Sequence, residues 1–325
     1  MTGRERVRRA IRFQDPDRIP YNFDSNREPD NGHRYGEDFL WVYIKTLPRL
    51  HCRDEWGVEY DSLDDRSFGE PKVFPLAGKD DLEGYVFPTF EQDWRYEELR
   101  EAIRKNREEK YVICCVPFGL FQHMIDLFGF EDFLCNCAAN PELVEEVCDR
   151  LTDEAIRIAG ILAEAGVDGI ITSDDSALQD RPMMSMETFR RIFTPRFTRF
   201  YSASHALGMD TLVHSCGYTL DIIEEFIKAG ADAVNLDQQD NMGLWNLSER
   251  YKGRICFYCP MDIQRTLDMD REQLFQRARD MKEAFSTEHG GFIAKMYPAP
   301  RACLMTDEYL QNVTDAFKAV SDYGR

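Results

Sequence analysis

The sequence predicts a (β/α)8 TIM barrel with an irregular N-terminal extension, and three observations carry that expectation. From about residue 99, amphipathic helical stretches alternate with short apolar runs, the signature of repeated βα units and a parallel sheet. Most of these runs follow a helix that closes at glycine, which supplies the left-handed backbone of a helix terminus. No glycine-rich phosphate loop follows an early strand, as an open dinucleotide-binding sheet would require. No linker divides the 325 residues. One barrel domain over 1–325 is therefore expected, irregular over 1–98 and regular over 99–325.

Taken in order, residues 4–13 read as a basic helix, Asp15-Pro16-Asp17 as a turn and residues 19–23 as a first strand. Residues 25–95 are rich in Asp, Gly, Pro and aromatics, and read as loops and short strands laid over the main body. Further strands are expected at 111–116, 169–172, 211–214, 233–236, 255–258 and 292–296. Helices close at Gly166, Gly208, Gly230, Gly253 and Gly290-Gly291, and start at Pro141-Glu142 and Asp270-Arg271-Glu272, with acidic residues at the positive end of the dipole. That makes seven strands; the eighth is expected between 51 and 90.

Composition narrows the function. Lys and Arg number 40 against 59 Asp and Glu, a net charge of −19. Such a surface repels polyanions, so nucleic acid is not an expected partner. No apolar run reaches the roughly 18 residues of a membrane span. The first residues, MTGRERVRRAIRFQ, lack the apolar core of a secretory leader, so a cytoplasmic location is expected. In that compartment the ten cysteines are free thiols, core residues or ligands, and most should pack the core.

Barrel chemistry gathers at the carboxyl ends of the strands. There the sequence places Phe118, Asp174-Asp175, His214-Ser215-Cys216-Gly217, Asp237, Tyr258 to Asp262, and Tyr297 to Cys303. At i and i+2 of an extended segment, His214 and Cys216 point the same way and can grip one ion, while Gly217 lets the chain turn. Zinc favours such a nitrogen–sulfur pair and keeps an open position in catalytic sites. Either Cys259 or Cys303 could be the third ligand; the alternative is a buried His beside a buried Cys. Neighbouring residues on a strand face opposite ways, so one of Asp174 and Asp175 should enter the mouth as an acid, base or orienting group. Asp237, Met261 and the aromatics Phe118, Tyr258 and Tyr297 are candidate substrate contacts, with core packing as the competing reading.

Several stretches resemble one family in order along the chain: residues 12–20 (RFQDPDRIP), 54–58 (DEWGV) and 166–170 (GVDGI) followed by Asp174-Asp175. They continue with Met184-Ser185-Met186, Pro195-Arg196, His214-Ser215-Cys216-Gly217, Ala229-Gly230-Ala231-Asp232-Ala233 and Met261-Asp262-Ile263-Gln264. The sequence is similar to the uroporphyrinogen decarboxylase superfamily and, within it, to the cobalamin-dependent methyltransferases. True decarboxylases carry an arginine-rich segment after the first strand; here that place reads Asp24-Ser25-Asn26-Arg27-Glu28. The resemblance implies a barrel enzyme that moves a methyl group between a small methylated substrate and a corrinoid carried by a partner protein. It also implies zinc on His214, Cys216 and a later cysteine, for which Cys303 stands some residues beyond the family position. Catalytic roles are expected for His214, Asp174 and Asp175, and the aromatic strand ends suggest an aryl methyl ether. A lyase of a carboxylated compound, using Arg27, Arg181, Arg196 or Arg301, is the alternative. A non-catalytic corrinoid-binding scaffold would show no open cavity.

Overall fold

Eight parallel strands form the wall of a barrel in the computed structural model, which describes residues 1–23, 33–49, 52–61 and 69–323. They are β1 (Tyr21–Asn22), β2 (Phe39–Tyr43), β3 (Tyr111–Cys115), β4 (Gly169–Ser173), β5 (Asp210–His214), β6 (Ala233–Asn235), β7 (Cys256–Cys259) and β8 (Phe292–Lys295). Neighbours pair in chain order from β2 to β8, and β8 pairs with β1. The curled sheet meets itself at Asp38, whose N–H donates to the Tyr21 carbonyl at 3.0 Å. The Asp38 carboxylate in turn accepts from the Tyr21 N–H at 2.8 Å. A short strand, Arg34–Tyr35, lies antiparallel to β2.

Seven of these strands stand where the apolar runs place them. The eighth does not: it is Phe39–Tyr43, outside the 51–90 window. Residues 59–61 and 70–73 instead form a separate antiparallel pair. No helix separates β1 from β2 among the described residues, so the βα rhythm that reveals the other strands is missing there. The expected helix end at Gly290-Gly291 also shifts. The helix Arg271–Phe285 stops earlier, and Thr287 and Gly290 form a tight bridge before β8. Elsewhere the terminal signals act as expected. Pro141 opens the helix Pro141–Ala165, Gly166 closes it at φ 92°, and Asp270 completes a capping box with Gln273.

Strand alternation divides the buried residues into two sets. Phe39, Ile113, Ile171, Leu212, Tyr258 and Ile293 fill the barrel interior. Val112, Cys114, Ile170, Val213, Phe257 and Cys259 face outward and pack with residues of the surrounding helices. The N-terminal helix Gly3–Ile11 plugs the amino end of the barrel, laying Val7, Ala10 and Ile11 against the inner set. Its basic face is held by buried carboxylates. Arg4 and Arg8 bond Asp168 at 2.8 and 2.9 Å, and Arg12 bonds Asp210 at 2.7 Å. Asp168 also accepts from the Val112 N–H at 2.9 Å. The amino end is thus sealed, and the carboxyl end carries an open interior space.

Removing Asp168 takes the shared acceptor from two half-buried arginines and the buried Val112 amide, although Arg8 keeps Asp210 at 4.0 Å. Asp168→Ala should cost about 3 kcal/mol in urea unfolding, whereas Arg9→Ala, which loses an exposed pair with Glu5 and an exposed, long hydrogen bond to the Gln14 carbonyl, should cost less than about 1 kcal/mol.

Candidate functional site

The carboxyl ends of the strands enclose a cavity of about 520 Å³, walled by Trp41, Tyr43, Tyr258 and Tyr297, with His214, Asn235, Asp237 and Lys295 among its polar groups. Strand register sets the central contact. His214, the last residue of β5, pairs with Ser173 on β4 and with Asn235 on β6. The Asn235 amide has its orientation fixed from both ends: Nδ2 donates to Asp237 Oδ1 at 2.7 Å, and Oδ1 accepts from Lys295 Nζ at 2.8 Å. Oδ1 therefore also accepts from His214 Nδ1–H at 3.0 Å, which turns Nε2 toward the loop after β5. Burial pushes the Asp237 carboxyl up, but the Lys295 ammonium at 3.4 Å, His214 and the Asn235 amide together outweigh it and hold the group below its usual range.

His214 Nε2 faces Cys216 Sγ and Asp175 Oδ1, each at 3.5 Å. The three candidate ligand atoms lie within 4.8 Å of one another. Asp175 also accepts from the Cys216 N–H at 2.7 Å, tying the loop after β5 to the end of β4. Gly217 makes the turn possible: it sits at φ +83°, and a Cβ there would lie 2.5 Å from the Ala177 carbonyl. Burial, with the Asp175 and Asp237 carboxylates nearby, pushes the Cys216 thiol up. A cation between these groups would reverse that, because a metal takes the thiolate. One nitrogen, one sulfur and one oxygen converging beside an open cavity, with the imidazole oriented from behind, fit zinc.

Of the residues expected at the mouth, Asp237, Tyr258, Tyr297 and His214 line the cavity, and Cys216 and Asp175 adjoin His214. Asp174 does not join them. It is fully buried, its Oδ1 accepts from the Phe121 N–H at 2.6 Å, and burial lifts its carboxyl to about 6. Its place is behind the wall, holding the chain after β3, and Asp175 is the one of the pair that faces His214. Phe118 packs edge-on against Trp56 at 5.1 Å, and Met261 is buried in the outer core, so neither is among the residues that line the cavity. Cys259 is turned away by alternation, since Tyr258 takes the inward place on β7; burial pushes its thiol up to about 12. Cys303 stands on the loop after β8, interacting with the Tyr297 hydroxyl, and is not in the ligand cluster. Asp175 takes the place expected for it.

Sequence reasoning missed Asn235, Lys295, Trp41 and Tyr43. The first two carried a usable signal, a polar residue inside an otherwise apolar strand. Trp41 and Tyr43 lay in the unrecognised strand. Among the arginines considered for a lyase, Arg181 pairs with Asp180 and Arg196 with Asp149, while Arg301 is exposed. Residues 24–28, with Arg27, lie outside the described residues.

With this fold and site, the chain belongs to the uroporphyrinogen decarboxylase (URO-D) family, which it matches over residues 57–323. Two curated relatives are methylcobamide:CoM methyltransferases. MtaA of Methanosarcina barkeri is 27% identical over 114 residues, 35% of this chain and 32% of the relative. MtbA of Methanosarcina acetivorans is 24% identical over 123 residues, 38% of this chain and 34% of the relative. The matched part thus spans about a third of the length of these relatives. A solved structure, a methyltransferase from Methanosarcina mazei, shares the fold at a TM-score of 0.73 and 17% identity, covering 98% of this chain and 99% of that one. No helix among the described residues is long and apolar enough to cross a membrane.

Close packing behind the site should be intolerant of added volume. A Cβ at Gly119 would lie 2.0 Å from the Ser173 carbonyl and 2.7 Å from Asp174 Oδ1. Gly119→Ala should therefore lower stability by about 2 kcal/mol in chemical unfolding.

Proposed function

We propose that this chain is a corrinoid-dependent methyltransferase, and that it removes a methyl group from a small methylated compound and passes it to the cobalt of a corrinoid on a separate protein. The observation that carries the reading is the Asp175–His214–Cys216 cluster at the edge of an open barrel cavity. The two methylcobamide:CoM methyltransferases among the relatives support it. An open cavity also argues against a scaffold without chemistry.

Reduced corrinoid cobalt is a strong nucleophile, but an ether or alcohol oxygen leaves poorly. A zinc ion held by His214 Nε2, Cys216 Sγ and Asp175 would supply Lewis acidity to the departing oxygen. The chain's own residues prepare the site. Asn235 donates to Asp237 and accepts from His214 Nδ1, which turns Nε2 toward Cys216 and Asp175, while Lys295 holds Asn235 in register and pairs with Asp237. The aromatic walls suit a flat donor, which favours an aryl methyl ether. A cytoplasmic setting agrees with free thiols at the site. The lyase reading has less support, because Arg181 and Arg196 are occupied by neighbouring carboxylates.

Incubation with a Co(I) corrinoid protein and a panel of methoxyarenes, methanol and methylamines should give methyl-cobalt with a methoxyarene; none with any donor contradicts the proposal. Cys216→Ser should lose both bound zinc and transfer, and Asn235→Ala should bind zinc about 10- to 100-fold more weakly by competition with a chelator. Cys303→Ser should keep its zinc.

A further inference from the structure

The cavity holds a cation that can do more than brace the metal site. Lys295 is 5% exposed, yet it sits on the inner wall at the end of β8. An ammonium has three protons. Asn235 Oδ1 takes one at 2.8 Å, and Asp237 Oδ1 lies at a looser 3.4 Å. The Tyr258 ring is 5.2 Å from the nitrogen. Burying a cation is costly unless a counter-charge meets it. Asp237 supplies that counter-charge at 3.4 Å, through an oxygen that also accepts from the Asn235 amide at 2.7 Å, and the two acceptors leave the third ammonium proton to place. Although the chain carries −19 overall, two cations and one carboxylate line this cavity.

Hydrogen-bond donors surround the same spot. Register places Asn22 beside Lys295, and the Asn22 amide donates to the Tyr258 hydroxyl. The Trp41 side chain, a donor only, is a second hydrogen-bond partner of that hydroxyl, so its oxygen is met by two donors and its own proton is the one left to donate. Burial pushes the Tyr258 phenol well up, so it stays a donor. An ammonium and a phenol side by side match the two oxygens of a carboxylate. The walls match a flat ring: Trp41 and Tyr43 stack with centroids 6.2 Å apart on β2, and Tyr258 stands on β7.

We infer that Lys295 and Tyr258 form an anion subsite, and that the methylated substrate is an aromatic carboxylate whose head group docks there. This rests on the reading of the cavity as the donor site. Because Asn235 Oδ1 bonds both Lys295 and His214, the head group is seated about one ring's length from the ligand cluster, which places a ring methoxy group beside it.

The test is a titration calorimetry comparison on the whole chain, without corrinoid protein, of benzoate against benzyl alcohol, which has similar size and no charge. Benzoate should bind at least about tenfold more tightly. Lys295→Met should reduce benzoate to the level of benzyl alcohol. The double variant Lys295→Met/Asp237→Asn, which strands no carboxylate, should do the same with an unchanged melting temperature. Equal affinity of the two probes for the unmodified chain, or a benzoate preference that survives in both variants, overturns the subsite. A Lys295 that merely braces Asn235 would weaken zinc binding and leave the benzoate preference intact. Failure of methyl transfer with charged and uncharged methoxyarenes alike, alongside intact benzoate binding, would overturn the methyltransferase reading and not the subsite.

Discussion

The parallel register that seats His214 between Ser173 and Asn235 is the constraint on which the site depends. It places an imidazole, an amide and, through Lys295 and Asp237, an ion pair on one ring of inward positions. A slip of one residue in β5 would turn His214 into the outer core and bring Val213 inward. The sealed amino end protects that register: the N-terminal helix ties β3, β4 and β5 together through Asp168 and Asp210.

From that ring the chemistry follows by short steps. Asn235 settles which imidazole nitrogen carries the proton, so the other is left for a ligand. The loop after β5 turns at Gly217 and returns Cys216 beside Nε2, and the Cys216 N–H holds Asp175 in place. Asp174, its neighbour, faces the opposite way and anchors the chain after β3. Adjacent carboxylates thus do different work because strand neighbours face opposite sides.

Much of this was legible in the sequence. His214 and Cys216 stand at i and i+2 of a strand end, and that spacing alone puts them on one side. Seven strands were legible because a helix and a closing glycine precede most of them. β2 was not, because it follows β1 without a helix and sits among irregular residues. The third ligand was sought among cysteines, yet alternation removes Cys259 and the loop after β8 holds Cys303 elsewhere. The Asp174-Asp175 pair showed that one carboxylate would enter but not which, since that depends on where β4 ends. Asn235 and Lys295 become meaningful only once register joins β6 to β8 across the cavity.

X-ray absorption at the zinc edge of the purified, zinc-loaded chain tests the central claim most directly, because it counts ligand types without needing substrate or partner. The account predicts one sulfur neighbour at about 2.3 Å, with nitrogen and oxygen completing the shell. Two sulfur neighbours, or none, would contradict it.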